Sequence, residues 1–187
     1  MLPSVNQHIE TISDLINGWR ALGSRKLRSG VEQLGRMPVD DEMAWMHAVF
    51  PGCSAATLDG IERAIGTALP TSLRAFYRCC GGMNLFLGAF HLCSYLPAGL
   101  QAGDAALQPS DIVALNHELD VFGWRPAGAV AFAENRWDAS VHLAGMVTGS
   151  DKIVRCERAT GLVIEEHDNV FQCVADRLYR LDSLLLR

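Results

Sequence analysis

Near the start of the chain, apolar residues recur at steps of three and four, a spacing that puts their side chains on one face of an α-helix. The series consists of Val5, Ile9, Ile12, Ile16 and Trp19. Ser4 and Gln7 have the spacing of a capping box, and Gly23 supplies a stop. The pattern predicts an amphipathic helix between Ser4 and Gly23, with Trp19 in the core.

A second helix is predicted in the segment DEMAWMHAVF, which begins at Asp40. Asp40 is placed to cap it, Pro51 and Gly52 end it, and its apolar stripe is formed by Trp45, Ala48 and Val49. With the first helix, this predicts that residues 1–56 are an N-terminal helical extension.

Two further helices are predicted on either side of a Leu-Pro break. Helical spacing runs through Leu58, Ile61, Ile65 and Leu69, then through Leu73, Phe76 and Tyr77. Gly66 is the expected left-handed residue after the first of them, and Pro70 prevents that helix from continuing. Thr71 is placed to cap the second, which is expected to stop at Gly81 and Gly82.

The pattern then changes from a helical period to strand-length apolar segments separated by turn-forming residues. These segments are MNLFLGAFHLCSYL, GAVAFAEN, WDASVHLA, KIVRCER and GLVIEEH. A last helical series contains Phe171, Val174, Leu178, Leu181 and Leu185. Helices, then consecutive strands, then a helix predict an α+β domain over residues 57–187, with an antiparallel mixed sheet of about five to six strands packed by helices.

Charge is unevenly distributed along the 187 residues, whose formal net charge is −5. Residues 1–36 contain three acidic and five basic residues, whereas residues 101–187 contain thirteen acidic and eight basic ones. A negative field repels phosphates, so nucleic acid is an unfavourable partner and a basic protein a favourable one. The chain has no stretch of about 20 apolar residues and no signal-like start, so we predict no membrane segment and a cytoplasmic protein.

Motifs that carry chemistry are mostly missing from the sequence. His117 and Glu118 begin a zinc-protease pattern that fails at Val121, and no phosphate loop or nucleophile elbow occurs. Cys79 and Cys80 are the best candidates for a reactive thiol, but they lie at a predicted helix end, whose partial negative charge raises a thiol pKa. We therefore predict no catalytic residues, no metal and no cofactor; a cysteine hydrolase is the alternative.

Exposed acids and tryptophans remain as candidates for binding. Glu165 and Glu166 are adjacent on a predicted strand, so their side chains point to opposite faces and do not share a site. Trp124 and Trp137 border loops or strand starts, where an aromatic side chain is available as an anchor for a partner.

The segment IERAIGTALPTSLRAFYRCCGGMNLF resembles the N-terminal signature of the SUKH superfamily, the Smi/Knr-type domain. That signature is a helix, a Leu-Pro break, a second helix with an aromatic pair and a double glycine. The structural motif residues here are Glu62, Gly66, Leu69, Pro70, Phe76, Tyr77, Gly81 and Gly82. The resemblance extends to about residue 185 more loosely, and Cys80 stands where the family usually has asparagine before the double glycine.

The resemblance implies a non-catalytic function, because most members of this superfamily are bacterial immunity proteins that bind and neutralise a cognate toxin. It implies a toxin partner. Because the chain is acidic, a basic, nuclease-like toxin domain is the favoured partner. The candidate partner-binding residues, chosen for loop or strand-end positions, are Trp124, Glu134, Trp137, Asp138, Glu165 and Asp168. The alternative is a regulatory or scaffolding module that binds an endogenous protein.

Overall fold

The structure is a computed structural model of the chain that describes residues 4–39, 42–95, 109–146 and 150–185. The helices are α1 (Val5–Ala21), α2 (Ala55–Ile65), α3 (Thr71–Cys79), α4 (Ile112–Val121) and α5 (Val170–Leu185). The strands are β1 (Ser24–Lys26), β2 (Glu32–Val39), β3 (Glu42–Pro51), β4 (Cys80–Leu85), β5 (Phe90–Leu92), β6 (Val130–Asn135), β7 (Ser140–Ala144), β8 (Ile153–Glu157) and β9 (Val163–His167).

All nine strands of the described residues form one sheet, in the order in which they occur along the chain. Every neighbouring pair is antiparallel, so the sheet is a continuous meander. The α+β class is therefore confirmed, but the prediction of five to six strands was too low. The additional strands come mainly from the N-terminal part of the chain.

The second predicted helix was wrong, because its residues form strand β3. Residues 42–51 pair with β2 on one side and with β4 on the other, and this pairing outweighs the weak helical period of the segment. Residues 1–56 are thus not a helical extension: the sheet runs without interruption from β3 to β4. The cap assigned to Asp40 lies outside the described residues. Helix α4 was not predicted.

The helices bury the apolar residues of the sheet and contact one another. Helix α1 packs against β2 and α5, helix α3 against β4 and α5, and helix α4 against β6 and α2. The largest fully buried side chains come from both halves of the chain and include Tyr77, Phe90 and Phe132. The core is therefore shared by the N-terminal strands and the remainder.

The Leu-Pro motif fixes how α2 joins α3. Gly66 ends α2 at φ 69°, as predicted, and the carboxylate of Glu62 accepts a hydrogen bond from the backbone N–H of Leu69 at 3.0 Å. The other oxygen of Glu62 lies 2.7 Å from Nη1 of Arg74 on α3. The acid of the motif thus links the two helices across the break.

Helix α3 begins differently from the prediction. Thr71 does not cap it: Pro70 occupies the N-cap position, and the carboxylate of Asp151 accepts the hydrogen bond from the N–H of Ser72 at 3.0 Å. Loss of a side-chain cap is therefore compensated by an acid that comes from a distant part of the sequence.

The two glycines of the motif lie inside β4 and not in a turn. A Cβ atom on Gly81 would lie 2.1 Å from the carbonyl oxygen of Pro51, and one on Gly82 would lie 2.7 Å from that of Leu92. Only glycine permits this close approach of the neighbouring backbones. Next to them, the buried Tyr77 donates a hydrogen bond to the carbonyl of Cys93 at 2.6 Å.

Candidate functional site

A cleft of about 230 Å³ opens between helix α5 and strand β9. We call it the α5 cleft; its lining residues are Glu165, His167, Asp176, Arg177, Tyr179 and Arg180. Five of these six side chains are ionisable: two are carboxylates, two are guanidiniums and one is an imidazole. The cleft is therefore a polar site in a fold whose core is otherwise mainly apolar.

Arg155 lies beside the cleft and forms an ion pair with its lining residue Glu165. The register of the sheet pairs His142 of β7 with Arg155 of β8, and Arg155 with Glu165 of β9, so the three side chains share one face. Arg155 is buried, with Nη1 3.0 Å from a carboxylate oxygen of Asp138 and Nε 3.1 Å from one of Glu165. Two carboxylates compensate its charge.

A second arginine, Arg177 of α5, is only 9% exposed, and its Nη2 atom has no hydrogen-bond partner. Within the described ranges, no carboxylate forms an ion pair with it. Burial lowers the pKa of Arg177, and the nearby positive charge of Arg155 lowers it further, while Glu165 and Asp138 act in the opposite direction. Arg177 therefore lacks the carboxylate partners that compensate the charge of Arg155.

The remaining charges of the cleft are paired. Nδ1 of His167 lies 3.3 Å from a carboxylate oxygen of Asp176, and its Nε2 lies 3.9 Å from Glu165. Arg180, at the exposed rim, has Nη1 3.8 Å from Glu165. Glu165 thus lies near two arginines and one histidine, and Asp176 lies nearest to the histidine.

Four of the six predicted binding residues lie beside Arg155, next to one of its partners or next to a lining residue of the cleft. Asp138 and Glu165 pair with Arg155, and Trp137, next to Asp138 in the turn between β6 and β7, is 68% exposed. Asp168 follows β9 and is also exposed; its backbone N–H donates to Oε1 of Gln172 at 2.7 Å. Asp168 follows His167, which pairs with Ile153, so it lies at the strand ends opposite to the turn that contains Trp137 and Asp138.

The other two predicted residues lie elsewhere. Glu134 of β6 and His142 of β7 point to opposite faces of the sheet. The carboxylate of Glu134 lies 3.5 Å from Nη1 of Arg158. Trp124 precedes the start of β6, whereas Trp137 follows its end, and the six residues of that strand span roughly 20 Å. Trp124 stacks on Phe122 with ring centroids 4.8 Å apart.

Sequence reasoning missed the basic half of the cleft and Tyr179. A signal for Arg155 was present, because it is a charged residue at an inward-facing position of a predicted apolar strand. A signal for Arg177 was also present: it lies three residues after Val174 and four before Leu181, on the apolar stripe of α5. A buried charge on an apolar stripe needs a specific environment.

Cys79 and Cys80, the two candidates for a reactive thiol, differ in burial. All six are free thiols. Burial raises the pKa of Cys80 to about 12, which removes the thiolate at neutral pH, and Cys79 is exposed at the end of α3. The cysteine hydrolase alternative therefore gains no support from Cys80.

The described residues contain no cluster of three or more histidine, cysteine, aspartate or glutamate side chains arranged to hold a metal ion. None of the helices in the described ranges has the length and apolarity required to cross a bilayer.

No protein-family model matches the chain, and no curated protein matches it either. The resemblance to the SUKH superfamily therefore stays a prediction based on the residues of α2, α3 and β4.

Proposed function

We propose that the chain is a non-catalytic protein-binding domain, and specifically an immunity protein that binds a cognate bacterial toxin and occludes the toxin's active site. The proposed binding surface consists of the α5 cleft together with Trp137, Asp138 and Asp168. The proposed setting is the cytoplasm of the cell that the protein protects.

The observation that carries the proposal is the exposure of two large aromatic side chains: Tyr179 lines the α5 cleft, and Trp137 is next to Asp138, which pairs with Arg155. Trp137 is 68% exposed and Tyr179 is 66% exposed, although both side chains carry apolar area that is unfavourable in water. Tryptophan, tyrosine and arginine are the residue types that dominate binding energy in protein interfaces. All three types occur among the residues of the proposed surface.

The acidic side chains support a partner with basic groups. Asp138 and Asp176 keep about half of their side-chain surface in solvent, at 48% and 50%, while Asp138 contacts Arg155 and Asp176 contacts His167. The C-terminal part of the chain also has an excess of acids, thirteen against eight bases over residues 101–187. Such a surface accelerates encounter with a positively charged protein.

The experiment is a protection assay with the toxin candidate encoded beside the gene for this chain. Cells that express the toxin are expected to grow only when the chain is co-expressed, and the two purified proteins are expected to form a complex in which the toxin is inactive. Trp137→Ala is expected to weaken the complex at least tenfold, about 1.4 kcal/mol. Trp124→Ala is the matched control and should change affinity less than twofold, because it lies at the other end of β6.

Two outcomes would overturn the proposal. The first is the lack of complex formation and protection with every toxin candidate encoded beside the gene. The second is a complex that Trp137→Ala leaves intact and Trp124→Ala disrupts, which would move the binding surface to the other end of the sheet.

A further inference from the structure

The guanidinium of Arg177 has been removed from water without gaining a protein partner. Only 9% of the residue is exposed, and Nη2 has no hydrogen bond. Buried arginines are normally paired with a carboxylate and hydrogen-bonded, because an uncompensated buried charge costs several kcal/mol in effective terms. This residue therefore departs from the rule that its neighbour Arg155 obeys.

The nearby acids are already engaged. Asp138 and Glu165 lie 3.0 and 3.1 Å from Arg155, and Asp176 lies 3.3 Å from His167. No carboxylate among the described residues lies within ion-pair distance of the guanidinium of Arg177. Among the described residues, the charge of Arg177 therefore has no ion-pair partner, and a bound anion could compensate it.

We propose that the α5 cleft binds a small oxyanion, with Arg177 as the residue that receives it. Arg177 lines the cleft, and a planar guanidinium holds its N–H groups in a fork that fits the two oxygens of a carboxylate or of a phosphate group. The space of about 230 Å³ is several times the roughly 30 Å³ that one water molecule occupies, so it admits a group of this size. Arg180 at the rim supplies a second positive charge.

The same geometry limits the affinity. Glu165 and Asp176 also line the cleft and repel an anion, while Arg177 and Arg180 attract it. We expect a dissociation constant on the order of 1 mM for a simple anion. The site is selective for a ligand whose oxygens reach the inner guanidinium, and not for any anion at the rim.

This inference does not rest on the protein-binding proposal, because it concerns a small ligand and the isolated chain. Its test is thermal unfolding of the full chain in sodium phosphate, sodium acetate or sodium chloride, at pH 7 and equal ionic strength. At about 100 mM ligand, one hundred times the expected dissociation constant, phosphate or acetate should raise the unfolding midpoint by roughly 5 °C relative to chloride. A rise in only one of the two salts identifies the ligand as a phosphate or a carboxylate.

Variants assign the effect to the residue. Arg177→Met keeps an unbranched side chain of similar volume and removes its charge, so it should abolish the rise, whereas the matched variant Arg180→Met at the rim should keep most of it. Midpoints that are equal in all three salts overturn the proposal, as does a rise that survives in Arg177→Met.

A spectroscopic measurement on the unmutated chain guards against a variant that fails to fold. The Nε–Hε resonance of Arg177, followed by NMR during a phosphate or acetate titration, should shift with saturation near the expected dissociation constant. A resonance that does not move in either titration also overturns the proposal.

Discussion

Two histidines of the sheet lie in contrasting surroundings. The ring of His47 is stacked on Trp19 of α1 with centroids 3.8 Å apart, and Phe86 packs edge-on against it at 4.7 Å. His142 also touches aromatic rings, but the register of the sheet places it beside Arg155, and the positive charge of Arg177 acts on it. We call the first group the aromatic cluster and the second the ionic cluster.

The difference separates what holds the fold from what faces other molecules. In the aromatic cluster every ring is buried, and the N–H of Trp19 donates to the carboxylate of Asp182 at 2.7 Å. The ionic cluster instead continues through Glu165 to an open cleft and leaves one guanidinium without a partner. Packing dominates the first region, and compensation of charge dominates the second.

The largest expected effect is on the aromatic cluster. Trp19→Ala should lower the free energy of unfolding by about 3–5 kcal/mol, because it leaves a cavity beside His47 and removes the hydrogen bond to Asp182. Urea unfolding measures the change. Trp137→Ala removes the same side chain from an exposed turn and should cost less than about 0.5 kcal/mol. A loss below about 1 kcal/mol for Trp19→Ala would contradict the structural role given to this cluster.

The next effect is a dependence of stability on pH that both clusters share. Burial lowers the pKa of His47 from 6.5 to about 3, and it lowers the pKa of His142 well below its usual range. Between pH 6.5 and pH 3, the unfolded chain binds more protons at His47 than the folded chain does. The contribution of this histidine to the free energy of unfolding is therefore complete above pH 6.5 and is lost as the pH falls towards 3. His47 alone should remove about 2 kcal/mol between pH 7 and pH 5.

The measurement is urea unfolding at both pH values. His47→Asn replaces the ring by a group that does not titrate but has an oxygen to accept the N–H of Phe86, which the Nδ1 atom now accepts at 3.3 Å. This variant should lose about 2 kcal/mol of the pH dependence. An unchanged difference between the two pH values would show that His47 does not supply it.

Local chemistry explains which features of the fold could be predicted. The capping box of Ser4 and Gln7, the left-handed Gly66 and the strand-length segments of β6 to β9 depend on neighbouring residues, and the structure contains all of them. Strand β3 could not be recognised, because Trp45, Ala48 and Val49 fit a helical stripe as well. Only pairing with β2 and β4, which is non-local, decides the strand.

The same distinction applies to the candidate site. The exposed Trp137 and the half-buried Glu165 follow from a turn and a strand end, and the opposite directions of Glu165 and Glu166 were predicted from the strand period alone. The cleft itself depends on the packing of α5 against β9. That packing is a tertiary contact, and it places Arg177 of the helix next to side chains of the sheet. No pattern within a short segment contains that information.

A smaller effect tests the compensation of Arg155. Glu165→Gln removes one of its two carboxylate partners and should cost about 1–2 kcal/mol, less than the loss of a sole partner because Asp138 remains. Glu166→Gln is the matched control: it is the adjacent residue, points to the other face and has only an exposed contact with Lys152 at 3.6 Å. That variant should change stability by less than about 0.5 kcal/mol. Equal effects of the two variants would mean that Arg155 does not depend on Glu165.

The smallest expected effect has the opposite sign. In chloride buffer without phosphate or carboxylates, Arg177→Met should raise the free energy of unfolding by about 1 kcal/mol, because methionine fills similar space without an unpaired buried charge. The exposed Arg180→Met should change it by less than about 0.5 kcal/mol. A marked loss of stability in Arg177→Met would show that the guanidinium is compensated within the folded chain. A gain would show that Arg177 destabilises the fold, whereas the residues of the aromatic cluster stabilise it. Residues that lower stability in this way are typical of binding sites.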